Sequence, residues 1–353
     1  MDIMKTGLIG YGFSGATFHA PFLQALEQYE IVKVMSSDPE KVQKDLGNVE
    51  VVDELESIME DPDIELVVIT TPNVLHYEMA KKSLQHNKHV IVEKPMVIDP
   101  DEAEELIALA RENNRMLSVY QNRRWDNDFL TICKLLSEDT LGEIVEYEAH
   151  FDRYRPEVRD RWREKPGKGA GMLYDLGSHL IDQAIFLFGE PEFVTANVFA
   201  QRKNSATDDY FHIIMGYENL RVILHSGSIV VDQGPRYKVH GSKGSFIKYG
   251  IDGQEDALKA GKVPGSNEWG RDKEEWFGKL TLSREGQQVE EIIETVPGNY
   301  AAYYEQVYEH IKEGKACPVS GEDGLKTIRV IHAALQSSRE KKTVFFNRKG
   351  LLG

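Results

Sequence analysis

Cysteine is nearly absent: Cys133 and Cys317 are the only two in 353 residues. Two thiols cannot build a disulfide framework, so the fold is expected to rest on burial, and a reduced cytoplasm suits it best. Long apolar runs are missing as well; none approaches the ~20 residues that span a bilayer. The opening Met1-Asp2-Ile3-Met4-Lys5 lacks the basic-then-apolar order of a secretory signal, so none is expected. Positive charge is in deficit, with 42 Lys and Arg against 58 Asp and Glu and a formal charge of −16. A protein that tracks nucleic-acid phosphates needs a basic footprint, so a general role of that kind is not expected. Internal repeats and low-complexity tracts are also missing. What remains is a chain 41% apolar and 28% charged, the composition of a soluble globular protein of about two domains.

The first 120 residues alternate short β-branched runs with longer amphipathic stretches. Strands are expected at Lys5–Ile9, Ile31–Met35, Val49–Val52, Glu65–Thr70, His89–Val92 and Met116–Tyr120. Helical pattern lies between most of them, which predicts a parallel sheet with covered faces, the size of one dinucleotide-binding domain. Beyond Tyr120 half-buried antiparallel strands are expected to dominate: Ile144–Phe151, Phe193–Ala200, Tyr210–Tyr217, Arg221–Ile229, Arg236–His240 and Gly244–Tyr249. Helices are expected near Asp128–Glu138, Met172–Phe188, Tyr300–Glu313 and Glu322–Ser338, and a last strand at Thr343–Phe346. The polar stretch from Asp252 to Gly278 reads as a long excursion.

Four motifs carry chemistry. Gly10-Tyr11-Gly12-Phe13-Ser14-Gly15 is a GxGxxG directly after a strand and opening a helical pattern. Its glycines permit a tight turn and close approach of backbone to a pyrophosphate, and the helix N-terminus offers N–H donors and positive partial charge. At the end of the second strand, Ser36 and Ser37 stand where an acid would bind a ribose 2′-hydroxyl and favour NAD. Small hydroxyl residues there leave room for a 2′-phosphate, so NADP is favoured, although Asp38 follows them and Lys33 and Lys41 are the nearest cations in sequence. His89-Val90-Ile91-Val92-Glu93-Lys94-Pro95 sets Lys94 at the carboxyl edge of a parallel strand, where open α/β sheets bind ligands. Thr70-Thr71-Pro72-Asn73 ends another strand at that edge and could line the ribose and nicotinamide.

The fourth motif is Tyr174-Asp175-Leu176-Gly177-Ser178-His179, with Asp175 and His179 at i and i+4 on one expected helix face. Gly167, Gly169 and Gly171 precede it, a backbone mobile enough to close over a substrate. Oxidising an alcohol with a nicotinamide requires a separate acceptor for the hydroxyl proton, and a histidine beside a carboxylate supplies one. No metal is assigned to the pair, since no third ligand stands at a defensible spacing. Two patterns are set aside. Tyr77-Glu78-Met79-Ala80-Lys81 is a YxxxK too early in the chain for short-chain dehydrogenases. Arg153, Arg155, Arg159, Arg161 and Arg163 interleave with four acids and read as a solvated, salt-bridged segment rather than an anion site.

In the order and spacing of Gly10-Tyr11-Gly12 with Gly15, Thr71-Pro72-Asn73 with His76, Glu93-Lys94-Pro95, and Asp175 with His179, the sequence resembles the Gfo/Idh/MocA oxidoreductases over essentially its whole length. Tyr120–Thr131, Arg153–Val158, Arg161–Glu164 and Lys248–Asp256 are similar to the branch that oxidises scyllo-inositol with NADP, with Asp38 standing where that branch has an Arg. The resemblance implies α/β plus α+β architecture: a Rossmann domain over 1–122, then over 123–353 a substrate-binding domain with a large, mostly antiparallel sheet that makes a homo-oligomer. It implies that Lys94 and His179 are the catalytic pair and meet Asp175 at the nicotinamide ring. Tyr11, Phe13, Thr71, Pro72, Asn73, His76, Glu93, Trp162 and Arg163 would join the glycines at the cofactor, and Asn122 and Tyr154 would touch a cyclic polyol. Another keto-sugar or an anionic sugar derivative is the alternative substrate, kept open by the arginine-rich segment. A cofactor-binding regulator without turnover is the distant one.

Overall fold

The protein is described by a computed structural model over residues 2–346. β1 (Met4–Ile9), β2 (Tyr29–Met35), β3 (Glu50–Val52), β4 (Leu66–Ile69), β5 (His89–Glu93) and β6 (Leu117–Tyr120) alternate with α1 (Ala20–Ala25), α2 (Pro39–Leu46), α3 (Glu56–Met59), α4 (His76–Gln85) and α5 (Pro100–Glu112). The strands pair in parallel in the order β3-β2-β1-β4-β5-β6. This is the doubly wound order, and all four β4 residues are buried because helices cover both faces. Local signals agree: Asp99 caps α5 by accepting the Asp101 N–H, Pro100 opens the helix and Asp101 and Glu102 fill its first turn. The chain reverses its winding direction between β1 and β4, so their carboxyl ends form the switch point where such sheets take ligands.

After α6 (Asn127–Ser137) the elements are β7 (Ile144–His150), α7 (Ser178–Phe188), β8 (Phe193–Phe199), β9 (Tyr210–Gly216), β10 (Arg221–Gly227), β11 (Tyr237–Gly241) and β12 (Gly244–Lys248). There follow α8 (Gln254–Lys259), β13 (Gly278–Arg284), β14 (Gln287–Ile293), α9 (Ala301–Glu313), α10 (Gly321–Glu340) and β15 (Val344–Phe345). Nine strands form one sheet in the order β14-β13-β12-β11-β7-β10-β9-β8-β15, antiparallel except for the β7–β10 pair. Alternation is strict in the middle: Tyr147, Ala149, Phe211, Ile213, Met215, Val222, Leu224, Tyr237 and Val239 are fully buried on one face. Glu148, His150, His212 and His225 are turned to the other. Among the described residues no helix is long and apolar enough to cross a membrane.

The hairpin of β13 and β14 is absent from the expectations above. Its turn residues Glu285 and Gly286 both take positive φ, 52° and 80°, the conformation of a type I′ turn that Asn-Gly or Asp-Gly normally announces. A glutamate in the first position hides the signal.

By compactness the chain divides into two units. One comprises the residues up to Trp125 together with Gly253–Trp269 and Asn299–Leu325; the other comprises Asp126–Asp252, Gly270–Gly298 and the chain from Lys326. The first is therefore assembled from three stretches. Gln254 stitches them, giving its amide N–H to the Trp125 carbonyl while its oxygen accepts from Trp269 Nε1 and the Tyr300 N–H. Tyr304, fully buried, packs its ring against Phe22, Tyr29 and Tyr120. In the second unit Lys248 is fully buried and paired with Asp272 at 3.0 Å. Asp252 accepts the Asn127 N–H at 2.8 Å.

Candidate active site

The predicted residues divide between the two units. In the first, the glycine loop leaves β1 at the switch point. Thr70, at the end of β4, donates its hydroxyl to the Gly10 carbonyl at 2.7 Å. Gly10 has φ +92°, and a Cβ at Gly15 would meet the Gly10 carbonyl oxygen at 2.4 Å, so neither position takes a side chain. At Gly12 a Cβ would meet nothing within 4 Å. The loop is thus closed against the protein at Gly10 and Gly15 and open to solvent at Gly12, a surface that a diphosphate can approach to backbone distance. Tyr11 is buried and Phe13 is exposed. The helix that follows begins as a π-turn over Gly15–His19 before α1 continues it.

Past β2, the Asp38 carboxylate caps α2 by accepting the Lys41 N–H at 3.1 Å, and the Ser36 hydroxyl accepts the Asp38 N–H. Asp38 is therefore committed to its own helix. Lys33 is paired with Asp61 at 2.8 Å and bonded to the Ser57 carbonyl, which takes it out of contention. Lys41 reaches the glycine loop instead, its Nζ 3.1 Å from the Tyr11 carbonyl and 5.3 Å from the Tyr11 ring centre. Ser36, Ser37 and this ammonium sit at the carboxyl end of β2 and the start of α2.

Glu93 and Lys94 end β5. The Glu93 carboxylate is held from three sides: by the Ser14 hydroxyl, by His19 Nε2 at 3.2 Å and by the Lys94 N–H at 2.9 Å. Burial pushes this carboxyl up, but His19, Lys94 and Ser14 together outweigh it and hold the pKa down at about 2. His19 is fully buried, and its other ring nitrogen lies 2.6 Å from the Tyr304 hydroxyl. Nothing in the sequence pointed to His19, which meets Glu93 across 74 residues of chain. His76 is buried with its two ring nitrogens 2.9 Å from the Pro95 and Thr71 carbonyls. It ties the loop after β4 to the loop after β5, with Asn73 buried and Pro72 exposed beside it. Asn122 lies in a buried 3₁₀ turn after β6. The YxxxK residues form a surface cluster in which Lys81 pairs with Glu105 and Tyr77.

In the second unit Asp175 lies within a π-turn, Leu173–Gly177, and His179 is the second residue of α7. The expected continuous α-helix is thus replaced by a wider first turn, a distortion common at functional sites. His179 is 6% exposed and Asp175 faces a cavity, its Oδ1 3.3 Å from Arg163 Nε. The start of the helix is held by Asp208, which accepts the Leu173 N–H at 2.7 Å. Burial pushes the Asp208 carboxyl up to about 6 despite that bond. Gly171 has φ +98° and a Cβ there would fall 1.9 Å from the Asp208 carboxylate, so its backbone is needed for close approach rather than for motion.

The cavity beside Asp175 is lined by Arg153, Arg155, Arg161, Arg163 and Arg202. This differs from the expected solvated segment. Glu164 pairs with Arg161 at 2.6 Å and with Arg202 at 3.1 Å, and Asp209 with Arg202 at 2.8 Å. Arg155 has no carboxylate at ion-pair distance among the described residues, and burial together with Arg159 and Arg161 lowers its pKa. Tyr154 is 55% exposed and bridges to Ile229. Trp162 lies on the short turn Trp162–Glu164, but its side chain falls outside the described residues.

Two family models match the chain. Residues 4–121 match the NAD-binding Rossmann fold of the Gfo/Idh/MocA oxidoreductase family, and residues 133–346 match that family's C-terminal alpha/beta domain. A scyllo-inositol 2-dehydrogenase (NADP(+)), IolW, of Bacillus subtilis is 53% identical over 98% of this chain and 96% of that protein. A glucose-6-phosphate 3-dehydrogenase of the same organism is 30% identical over 69% of this chain and 73% of its own. Among solved structures, the oxidoreductase YvaA of B. subtilis superposes with a TM-score of 0.96 at 53% identity, covering 98% of this chain and 99% of that one. An oxidoreductase of Yersinia pestis reaches 0.94 at 41% identity, covering 99% of each.

Proposed function

From the premise that the chain belongs to the Gfo/Idh/MocA oxidoreductase family, we propose that it transfers hydride between NADP and a secondary hydroxyl of a cyclic polyol, with scyllo-inositol and its 2-keto form as the leading pair. The observation that supports the chemistry is, in the second unit, a buried His179 one turn beyond an Asp175 that faces a cavity; Lys94, directly after β5 in the first unit, is the proposed second catalytic group. The substrate rests on the 53% identical inositol dehydrogenase.

A bound nicotinamide supplies the hydride acceptor and nothing else. His179 therefore takes the hydroxyl proton as general base, while the Lys94 ammonium stabilises the developing oxyanion. Asp175 orients the substrate and His179, and Asn122 and Tyr154 contact the polyol. Gly10, Tyr11, Gly12, Phe13 and Gly15 receive the pyrophosphate, with Glu93 holding the first turn of that helix through Ser14. Thr71, Pro72 and Asn73 line the ribose and nicotinamide, and His76 braces the two loops that carry them. Trp162 and Arg163 serve the nicotinamide end. In reverse the same groups reduce the ketone.

NADP is preferred over NAD in this reading because Asp38 is occupied as a helix cap while the Lys41 ammonium, bonded to the Tyr11 carbonyl and, among the described residues, to no carboxylate, meets a 2′-phosphate beside Ser36 and Ser37. In this reading the protein works in the cytoplasm and self-associates through the C-terminal sheet. Purified enzyme assayed for NADPH and NADH formation with scyllo-inositol tests all of this chemistry at once. Turnover with NADP supports the full reading, turnover with NAD alone overturns the cofactor choice, and cofactor binding without turnover overturns the substrate.

One observation favours a second substrate class. Arg155, where burial, Arg159 and Arg161 outweigh the attraction of Asp175 and Glu164, lines the cavity that Asp175 faces, and an anionic substituent on a sugar would relieve that crowding. Higher kcat/KM for a sugar phosphate than for scyllo-inositol, abolished by Arg155→Met, would select it.

A further inference from the structure

Outside the catalytic residues, the second unit holds a compact group of nitrogen and oxygen ligands with no assigned role. His150 ends β7, Asp152 follows it, and His225 lies on the neighbouring β10. One potential ligand atom from each of the three falls within 4.8 Å of the others. The parallel register of β7 and β10 sets His150 directly against His225 on the outward face of the sheet.

Protonation logic makes the group unusual. His150 Nε2 lies 2.7 Å from Glu148 Oε1, and a carboxylate only accepts, so that nitrogen carries the proton. In a neutral imidazole the opposite nitrogen, Nδ1, then presents a lone pair. It faces Asp152 Oδ2 at 3.1 Å, another acceptor. On the other side His225 Nδ1 is 2.9 Å from Asp152 Oδ1 yet makes no hydrogen bond, although the atom is buried. Two imidazole nitrogens and a carboxylate oxygen thus converge within 4.8 Å of one another, the nitrogen-and-oxygen donor set of a cation site. Glu148 on the far nitrogen of His150 is the outer partner that fixes ring orientation and raises ligand basicity at metal sites.

We propose that His150, Asp152 and His225 bind one divalent first-row transition ion of the Zn²⁺ or Co²⁺ type. Two imidazoles and a carboxylate suit such ions and not Mg²⁺ or Ca²⁺, which take oxygen. Ligand distances of about 2.0–2.1 Å require the two rings to draw together by roughly 1 Å from their present spacing. Both are partly exposed, with side chains 23% and 16% accessible, so they can turn and an ion can reach them. A cavity lined by His150, Asp152, Gln233 and Tyr249 leaves room for a water in the remaining position. The ion clamps the ends of β7 and β10; Arg153, three residues beyond β7, and Ser228, the residue after β10, line the arginine cavity. It is a structural site that stiffens the wall of the substrate pocket.

The test uses the untagged full chain, stripped with chelator and titrated with Co²⁺ and then Zn²⁺. One Co²⁺ per chain, with the visible ligand-field bands of a four- or five-coordinate ion displaced by Zn²⁺, is the expected result. His150→Gln/His225→Gln should lose the bands while keeping the unstripped far-UV dichroism and NADPH binding. Glu148→Gln, which leaves all three ligands in place, should weaken affinity about 10- to 100-fold. Absence of uptake by the parent chain would show that a proton alone sits among these acceptors and overturn the proposal. Undiminished uptake by the double variant would overturn it too.

Discussion

The helix after the glycine loop and the helix that carries His179 both begin with a π-turn, Gly15–His19 in one unit and Leu173–Gly177 in the other. They are anchored by opposite means. The first is fastened by Glu93, a buried carboxylate held ionised by Ser14, His19 and the Lys94 N–H. The second is fastened by Asp208, a carboxylate whose burial pushes its pKa to about 6, while Asp175 on the same turn looks into a cavity lined by arginines. At the first anchor the partners outweigh burial; at the second burial outweighs the backbone N–H donors. A fully satisfied buried network is rigid, whereas unbalanced charge beside a cavity is a preference waiting for a ligand. A surface for an invariant cofactor suits the first arrangement, and a pocket that selects substrate suits the second.

If both units contribute to a single chemical step, Lys94→Ala and His179→Ala should each lower kcat by about 10²–10⁴-fold. The Kd for NADPH should stay nearly unchanged in both, as read by fluorescence titration. Intact turnover in Lys94→Ala would remove the first unit from the chemistry and leave it a cofactor platform. Next in size is the anchor itself. Glu93→Gln leaves His19 and Ser14 facing an amide and should cost about 3–5 kcal/mol of stability by denaturant unfolding. The pH dependence has a fixed sign. Because folding lowers the Glu93 pKa from an ordinary 4.5 to about 2, its contribution is present above about pH 4.5 and is lost as pH falls toward 2. The gap between parent and variant should therefore close in acid. Asp175→Asn should instead move KM and kcat with little change in unfolding midpoint.

The N-terminal stretch of the first unit was almost fully legible in the sequence. Its six strands were each placed to within a residue or two, because a parallel sheet with covered faces leaves continuous β-branched runs. The glycine loop, Lys94 and the Asp175–His179 pair could be read from spacing. Hidden features were long-range or conformational. His19 and Glu93 meet only through folding, and no periodicity distinguishes a π-turn from an α-turn over five residues. Residues 253–269 and 299–325 pack with the N-terminal stretch through Gln254 and Tyr304. A linear reading has no means to assign such returns. The arginine cavity was missed for a related reason: interleaved acids suggested mutual neutralisation, but Glu164 and Asp209 form their ion pairs with Arg161 and Arg202, and among the described residues Arg155 forms none.

The cofactor end sharpens the comparison through Lys41. If its ammonium meets the 2′-phosphate, Lys41→Ala should raise the KM for NADP about tenfold or more, the worth of one charge-assisted hydrogen bond. The KM for NAD should barely move. Equal losses for both cofactors would reassign Lys41 to support of the Tyr11 carbonyl.

Asp208 carries the smallest and most discriminating effect. Its folded pKa of about 6 stands above the ordinary 3.8, so the stability linked to its proton is present in full below about pH 4 and lost as pH rises through 6. An asparagine keeps an oxygen for the Leu173 N–H and never acquires the charge. Asp208→Asn should therefore match the parent near pH 4 and become the more stable chain above pH 7, by about 1 kcal/mol once relaxation around the site is allowed for. Thermal unfolding across pH 4–8 reads this directly. A flat difference would mean that nearby arginines already compensate the Asp208 charge, and the contrast between the two anchors would disappear. A difference that grows with pH would show that the wall of the substrate cavity is held at a cost in stability, the pattern expected where a buried charge is kept for function rather than for folding.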